Sequence, residues 1–494
     1  MIQVTERDFD FDEMLESSLS EIPPEDIVSS VTPWKKAMRL VLVGFALCGI
    51  TLKFLCLQYI LPALGILLSF LGFRMLRREN GCFFACYILS AVEMLYQYVC
   101  LILEATVYSE FWLTENVQAV LLIFSISCTI AKYICFCIGL SDVRKKAGLP
   151  KGTSGIWLVV WNLVVLLLAL VQYEGFIIPI LLIIGYILII RSLFRVMREL
   201  DEAGYGITPA KIWISDRVLS IGVSAVLICG VVCGMRFFNS YPMAWQEREV
   251  TENIQVERVK NYLLYLGFPE YVLSDMTDED ILACAGAEEV EVEITDWALN
   301  EGRRVTEWRE DAIYVDTVYD VEELRAAAIG VRLNEEGTKW KVIHHFLFTS
   351  DPGFFGTESI KLWSQVAEDW WYDEPLTGRV LYDKDGITYT APYYHLSTDT
   401  YTHNSVFWGE RTDRHPFADF SFPEEGEAWR GYLSYEMTTT KEKWLVDSWM
   451  NFTHQTSPWV YPFRTANEHS KNGVFGLSEK FKMIQDAIQF WYDE

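Results

Sequence analysis

No histidine occurs before His344, and that gap closes several routes at once. The apolar first half lacks the imidazole base of a serine–histidine intramembrane protease. The stretch IGVSAV at 221–226 therefore reads as close-packing Gly and Ser. No H-E-x-x-H motif occurs anywhere, which excludes zincin-type chemistry. The segment 213–237 has no lysine to hold a retinal Schiff base. The loop RKKAGLPKGTSG at 144–155 falls short of the phosphate-binding G-x-x-x-x-G-K-[ST] pattern and has no strand before it. It reads instead as charge facing lipid head groups.

Cysteine and base are unevenly spread too. Ten of the eleven cysteines lie in the first 238 residues, and Cys284 alone in the rest, so the second half holds no internal disulfide. The membrane-half cysteines read as small apolar residues. Residues 1–32 carry nine acids and one base, the reverse of a cleavable leader. Within this tail, Phe11, Met14, Leu15 and Leu19 have the spacing of a short interfacial helix.

What is present divides the chain in two. Residues 239–494 hold 47 acidic residues and nearly the whole net charge of −26. Long apolar runs fill the first half, near 38–56, 58–76, 82–104, 117–140, 156–173, 175–197 and 213–237. Runs of this length read as membrane-crossing helices, because hydrocarbon leaves no partner for an open backbone. The first two form a hairpin turning near Leu57 and Gln58, with Pro62 in a first turn, where its missing N–H costs little. Lys35, Lys36 and Arg39, then Arg74, Arg77 and Arg78, then Arg144 to Lys151, then Arg191 to Arg217 fall on alternate connections. The intervening loops TVYSEFWLTEN and YEG carry acid without base. By the positive-inside rule the N-terminus is cytoplasmic and residues 239–494 are extracytoplasmic.

The expected organisation is a cytoplasmic acidic tail at 1–35, a seven-helix transmembrane bundle at 36–238, a helical neck at 239–287 and a soluble, mainly-β domain at 288–494. In the neck, Val256, Val259, Leu263 and Leu266 make one helical stripe, and Thr277 is placed to cap a later turn. From 288 the apolar period becomes two. Hairpins are expected at 326–348, 378–391 and 427–452, with further strands at 289–298, 312–319 and 356–364. This pattern predicts an antiparallel β-sandwich of jelly-roll type. A closing helix is expected at 478–491, where Phe481, Ile484, Ile488 and Trp491 share a helical face.

The segments IPPEDIVSSVTPWKKAMRL and LQYILPALGILLSFLGFRMLRREN resemble parts of a group of uncharacterised multi-pass membrane proteins of Gram-positive, clostridia-type bacteria. LGFPEYVLSDMTDEDILACAG is a looser echo. The resemblance covers roughly residues 20–80. It implies a bacterial plasma membrane and carries no activity onto residues here.

Candidate functional positions are few. Glu93 and Lys132 lie deep in their spans and are expected to pair, either fixing helix register or belonging to a transport path. Asn162 is the other intramembrane polar candidate. The stretch VAEDWWYDEP places Asp369, Trp370, Trp371, Tyr372 and Asp373 in a connection, either as plain packing with one tryptophan capping the core or as an aromatic–acid patch that stacks on a sugar or accepts a cationic peptide. His344 and His345 are adjacent on a strand, so they face opposite ways and cannot share a metal ion. His395, His403 and His415 match no zinc spacing, and YDKDG at 382–386 reads as a hairpin turn rather than a calcium loop. No cofactor or metal is expected.

The functional expectation is non-enzymatic. The exported acidic domain binds a cell-envelope ligand or partner protein, neutral or cationic in view of its charge, while the bundle sits among membrane lipid. Nucleic acid is excluded as a partner. A transport subunit using Glu93, Lys132 and Asn162 is the alternative, and an exported carboxylate-dependent hydrolase the third reading.

Overall fold

In a computed structural model the chain is described over residues 32–492 apart from 50–55, 113–114, 151, 172, 174, 176, 208–209, 211–212, 250–252, 310–311, 365–370, 406–408, 440–443 and 473–479. Two compact units result, residues 1–103 with 110–231, and 104–109 with 232–494.

The first unit is helical. The short strand β1 (Thr32–Pro33) leads into α1 (Trp34–Cys48), α2 (Leu57–Leu76) and α3 (Gly81–Leu103). After the short α4 (Tyr108–Trp112) come α5 (Glu115–Lys146), α6 (Ser154–Leu170) and α7 (Ile177–Glu202). The strand β2 (Gly206–Ile207) pairs with β1 before α8 (Asp216–Phe237). Five of these, α2, α3, α5, α7 and α8, are long and apolar enough to cross a membrane, and α6 is a shorter apolar helix.

Small residues set the approach of α1 to α2. A Cβ added at Gly72 would stand 2.6 Å from Val41 Cγ2 and 2.8 Å from Ala37 O. One added at Gly65 would stand 2.7 Å from Gly44 O. Backbones pack this closely only where side chains are absent. The contacts run antiparallel, Gly72 against Val41 and Gly65 against Gly44, so α1 and α2 form a hairpin. Its turn falls at 50–55, outside the described residues, and Leu57 and Gln58 begin α2. Phe45, Phe73, Phe83 and Phe136 fill the core that α1, α2, α3 and α5 share. Leu95, Ile123, Leu181 and Val226 by contrast stand exposed on the outer faces.

The second unit has layers. The strand β3 (Gln246–Glu247) is followed by α9 (Ile254–Tyr265), α10 (Glu270–Asp275) and α11 (Asp278–Ala283), then by β4 (Glu289–Trp297), β5 (Arg303–Arg309) and β6 (Ala312–Val318). Next come β7 (Leu324–Arg332), β8 (Lys339–Phe348), β9 (Glu358–Trp363), β10 (Trp371–Lys384), β11 (Ile387–Ala391), β12 (His395–Ser405) and β13 (Gly409–Phe420). The chain continues through β14 (Glu427–Thr438), β15 (Trp444–Gln455), α12 (Ala466–Asn472) and β16 (Phe481–Tyr492). One antiparallel sheet has the order β3-β11-β10-β14-β8-β7-β4, another β12-β13-β9-β15-β16, and β5 pairs with β6 apart. Phe346, Leu433 and Val380 from the first sheet meet Ile360, Phe420, Phe452 and Ile488 from the second in one core. Alternating inward residues on both sheets build that core, as layered antiparallel sheets require.

Three expectations are corrected. Residues 481–492 form strand β16, paired along β15 from Phe481↔Gln455 to Tyr492↔Trp444, and not a helix. Positions four apart share a face in both periods, so Ile484 and Ile488 fit either reading. The inward position between them belongs to Asp486, whose polarity hid the alternation. The expected hairpin at 427–452 is also absent: β14 pairs with β10 and β8, β15 with β9 and β16, in different sheets. Finally, Trp371, Tyr372 and Asp373 belong to β10, opposite Thr438, Met437 and Glu436, rather than to a connection.

Candidate binding cleft

The helical neck lies on the outer face of the larger sheet. Val256 and Leu263 of α9 are buried against Ala327, Ile329, Val331, Ile343 and Tyr432. Asn253 caps α9, accepting from Gln255 N at 3.0 Å, and the following turn bends at Gly267 with φ 96°. Thr277 Oγ1 accepts from Asp280 N at 3.2 Å and caps α11. These short-range devices aim the carboxylates of Asp275 and Asp280 down onto the sheet.

There they meet partners from three strands, β8, β10 and β14. Asp280 accepts from Lys341 at 3.2 Å, Thr377 Oγ1 at 2.6 Å and Tyr432 Oη at 2.6 Å. Asp275 accepts from His345 Nε2 at 2.9 Å and Arg430 Nε at 2.8 Å. Arg430 reaches on to Asp383 at 3.0 and 3.2 Å. Arg379 donates to the carbonyls of Asp275 and Met276, both at 2.9 Å, at the C-terminal end of α10.

Burial opposes ionisation of both aspartates, yet each stays below the usual carboxylate range. At Asp275 the hydrogen bond and charge of His345, then Arg430, outweigh burial. At Asp280 it is Lys341, Thr377 and Tyr432. An ionised Asp275 fixes His345 Nε2 as the donor, a tautomer assigned from its partners. Tyr432 is pushed up by burial and by the Asp280 charge, so it keeps its proton and donates it. These mutual bonds hold the neck to the sheet, and at their centre the ring Nδ1 of His345 is left buried without a partner among the described residues.

Beside this footing lies a cleft of about 660 Å³. Arg248, Arg258 and Arg379 line it together with Glu249, Asp278 and Glu279. Lys260 also reaches it but is held by Glu257 at 3.2 Å. Burial, followed by the charge of Arg379, lowers the pKa of Arg248, and Asp275 and Asp278 oppose that.

The positions singled out in the sequence are distributed differently. Lys132 donates to Glu93 inside the helical unit, and Thr129 Oγ1 donates to the other Glu93 oxygen at 3.1 Å. Both members are buried, with the ammonium 5.7 Å from the Phe45 and Tyr133 ring centres. Asn162 on α6 is half-buried and makes no hydrogen bond to either. Asp369 and Trp370 lie outside the described residues. His344 and His345 do face opposite ways, toward Ser448 and Asp275. His395 Nδ1 lies 3.4 Å from Asp419 Oδ2. Asp385 and Gly386, with φ 53° and 77°, form the tight turn between β10 and β11.

Sequence reasoning missed Asp275, Asp280, Arg379 and Arg430 as a group, since their partners lie up to 155 residues away. One signal was present. Lys341, Ile343 and His345 share the neck-facing side of β8, and two polar side chains on a buried face demand buried partners.

No family model matches the sequence, and no curated protein matches it. Among solved structures, a chain titled "Pore forming protein" is similar over 38% of this chain and 95% of its own length, at 7% identity. Its TM-score is 0.16, and a likeness so slight carries no argument.

Proposed function

We propose that the chain is a membrane-embedded helical bundle that carries a ligand-binding β domain on the extracytoplasmic side. The observation that carries this reading is the cleft over the neck, seated on a buried hydrogen-bonded network in a unit that follows the apolar helices. Pockets of a few hundred Å³ on a stiff scaffold serve small molecules or peptide segments. No group in the footing is left poised as a nucleophile, which favours binding over hydrolysis.

Seven membrane crossings, with the N-terminus inside, complete the proposal. Ion pairs at one end of the bundle support it. Lys35 meets Asp201 at 3.1 Å, Arg74 meets Asp216 at 2.8 Å and Arg144 meets Glu199 at 2.9 Å. The start of α1 and the ends of α2, α5 and α7 thus gather with the start of α8, as an alternating path requires. That end holds the basic clusters and faces the cytoplasm under the positive-inside rule. The exposed apolar residues on the outer faces suit a lipid surround.

An active reporter fused after Glu494 on the outer side, with a silent one in the loop near Gly148, is the expected result. A reporter at Glu494 that works only in the cytosol rejects the proposal. A transport role has one supporting observation, the buried Glu93–Lys132 pair, but each member already satisfies the other.

A further inference from the structure

Arg248 carries an unmatched charge in the cleft. Its side chain is half-buried and makes no hydrogen bond or ion pair among the described residues. Arg379, in the same cleft, spends its donors on two backbone carbonyls and has no carboxylate partner. A guanidinium partly withdrawn from water without a counter-ion is costly, and two close together add repulsion. Arg430 nearby is occupied by Asp275 and Asp383. Asp278 lies near enough to oppose the lowering of the Arg248 pKa but forms no ion pair with it among the described residues. Among the described residues the cleft is therefore short of one anion at its Arg248–Arg379 side.

The rest of the lining selects among anions. Glu249, Asp278 and Glu279 border the same space, and the whole unit is strongly acidic. A dianionic phosphate would face repulsion from these carboxylates on its far side. A single carboxylate would not, and a cationic group a few atoms away would be welcomed by them. We propose that the cleft binds the carboxylate end of a small zwitterionic ligand, an amino acid or short peptide, through Arg248 and Arg379. Arg248 supplies a whole planar fork, and Arg379 the Nη1–Nη2 edge that its two carbonyl contacts leave over. This rests on the ligand-binding reading above, but not on which side of a membrane the unit lies.

The test uses the full chain in detergent micelles, with binding read by native mass spectrometry and thermal shift. The probes are an equimolar tripeptide library with free C-termini, the same library amidated, the same library N-acetylated, and inorganic phosphate. The free library binds, amidation weakens it by about tenfold or more, acetylation weakens it less, and phosphate is not retained. Arg248→Gln abolishes peptide binding while leaving the ligand-free protein as stable or more so, since that side chain holds nothing in the fold. Arg379→Lys, which keeps charge but loses the fork, folds and binds more weakly. Equal binding of the amidated library, phosphate bound in place of peptide, undiminished binding by Arg248→Gln, or no binding by any probe each overturns the proposal. A misplaced reporter at Glu494 would reject the topology and leave these measurements standing.

Discussion

His344 and His345 are neighbours on β8 that deliver their rings to opposite faces of one sheet. His344 Nε2 lies 2.7 Å from Ser448 Oγ in the core between the sheets, while His345 Nε2 lies 2.9 Å from Asp275 in the neck. Tyr435 Oη donates to the same Ser448 Oγ at 2.6 Å, which ties the ring, the serine and the tyrosine into one buried chain of hydrogen bonds. One strand thus anchors both layers that pack against it.

The core-facing ring makes stability depend on acid. Burial pushes His344 down to about 3 from an ordinary value of 6.5. Between those values the unfolded chain takes up a proton that the fold refuses, so stability is full above pH 6.5 and falls as pH drops. The loss reaches on the order of 4 kcal/mol near pH 3. Urea unfolding at stepped pH reads this slope, and His344→Gln flattens it. Below about 3.8 the depressed Asp275 and Asp280 add a further loss.

Asp486 acts with the opposite sign. Burial raises it to about 6 from 3.8, and Oδ2 has no hydrogen-bond partner. The fold holds this proton more tightly than the unfolded chain, so its contribution is present below 3.8 and is lost as pH rises through about 6. Asp486→Asn is expected to stabilise the protein by about 1–3 kcal/mol at pH 7.5 and to leave it unchanged at pH 3.5. Equal effects at both pH values would refute this.

The pair in the helical unit should show strong coupling. Glu93→Gln alone or Lys132→Met alone leaves one buried partner uncompensated, at about 3–5 kcal/mol. The double variant recovers most of that loss in thermal unfolding from micelles. Additive losses would mean that the two do not interact.

Gly72→Leu is expected to force α1 from α2, since even a Cβ there meets Val41 and Ala37. A loss of about 1–3 kcal/mol follows from overpacking. Gly81→Ala, where a Cβ meets nothing within 4 Å, is the matched control.

Elements governed by local rules were legible. Apolar runs located the helices of the first unit, and the Asp385–Gly386 turn located the β10–β11 hairpin. Thr277 announced its own cap. What depends on distant chain was not legible. The sheet to which β15 belongs is decided by β9 and β16, not by the short link that precedes it. Asp486 concealed a strand because one buried carboxyl breaks the apolar alternation that marks it. The cleft escaped notice because Arg248 and Arg379 are 131 positions apart in numbering and meet only after β10 joins the sheet.

The chain moves between the two sheets repeatedly, from β8 to β9, back for β10 and β11, over for β12 and β13, back for β14 and over again for β15. Neither sheet can be completed first, since β7, β8, β9, β10 and β15 each wait for a neighbour delivered later. Closure of the larger ladder waits for β14, and the smaller one is finished only when residues 481–492 arrive. Emerging residue by residue during synthesis, such a unit would pass most of its residues in an open, interdigitating state before locking in one late step, slow by the measure of its long-range pairings.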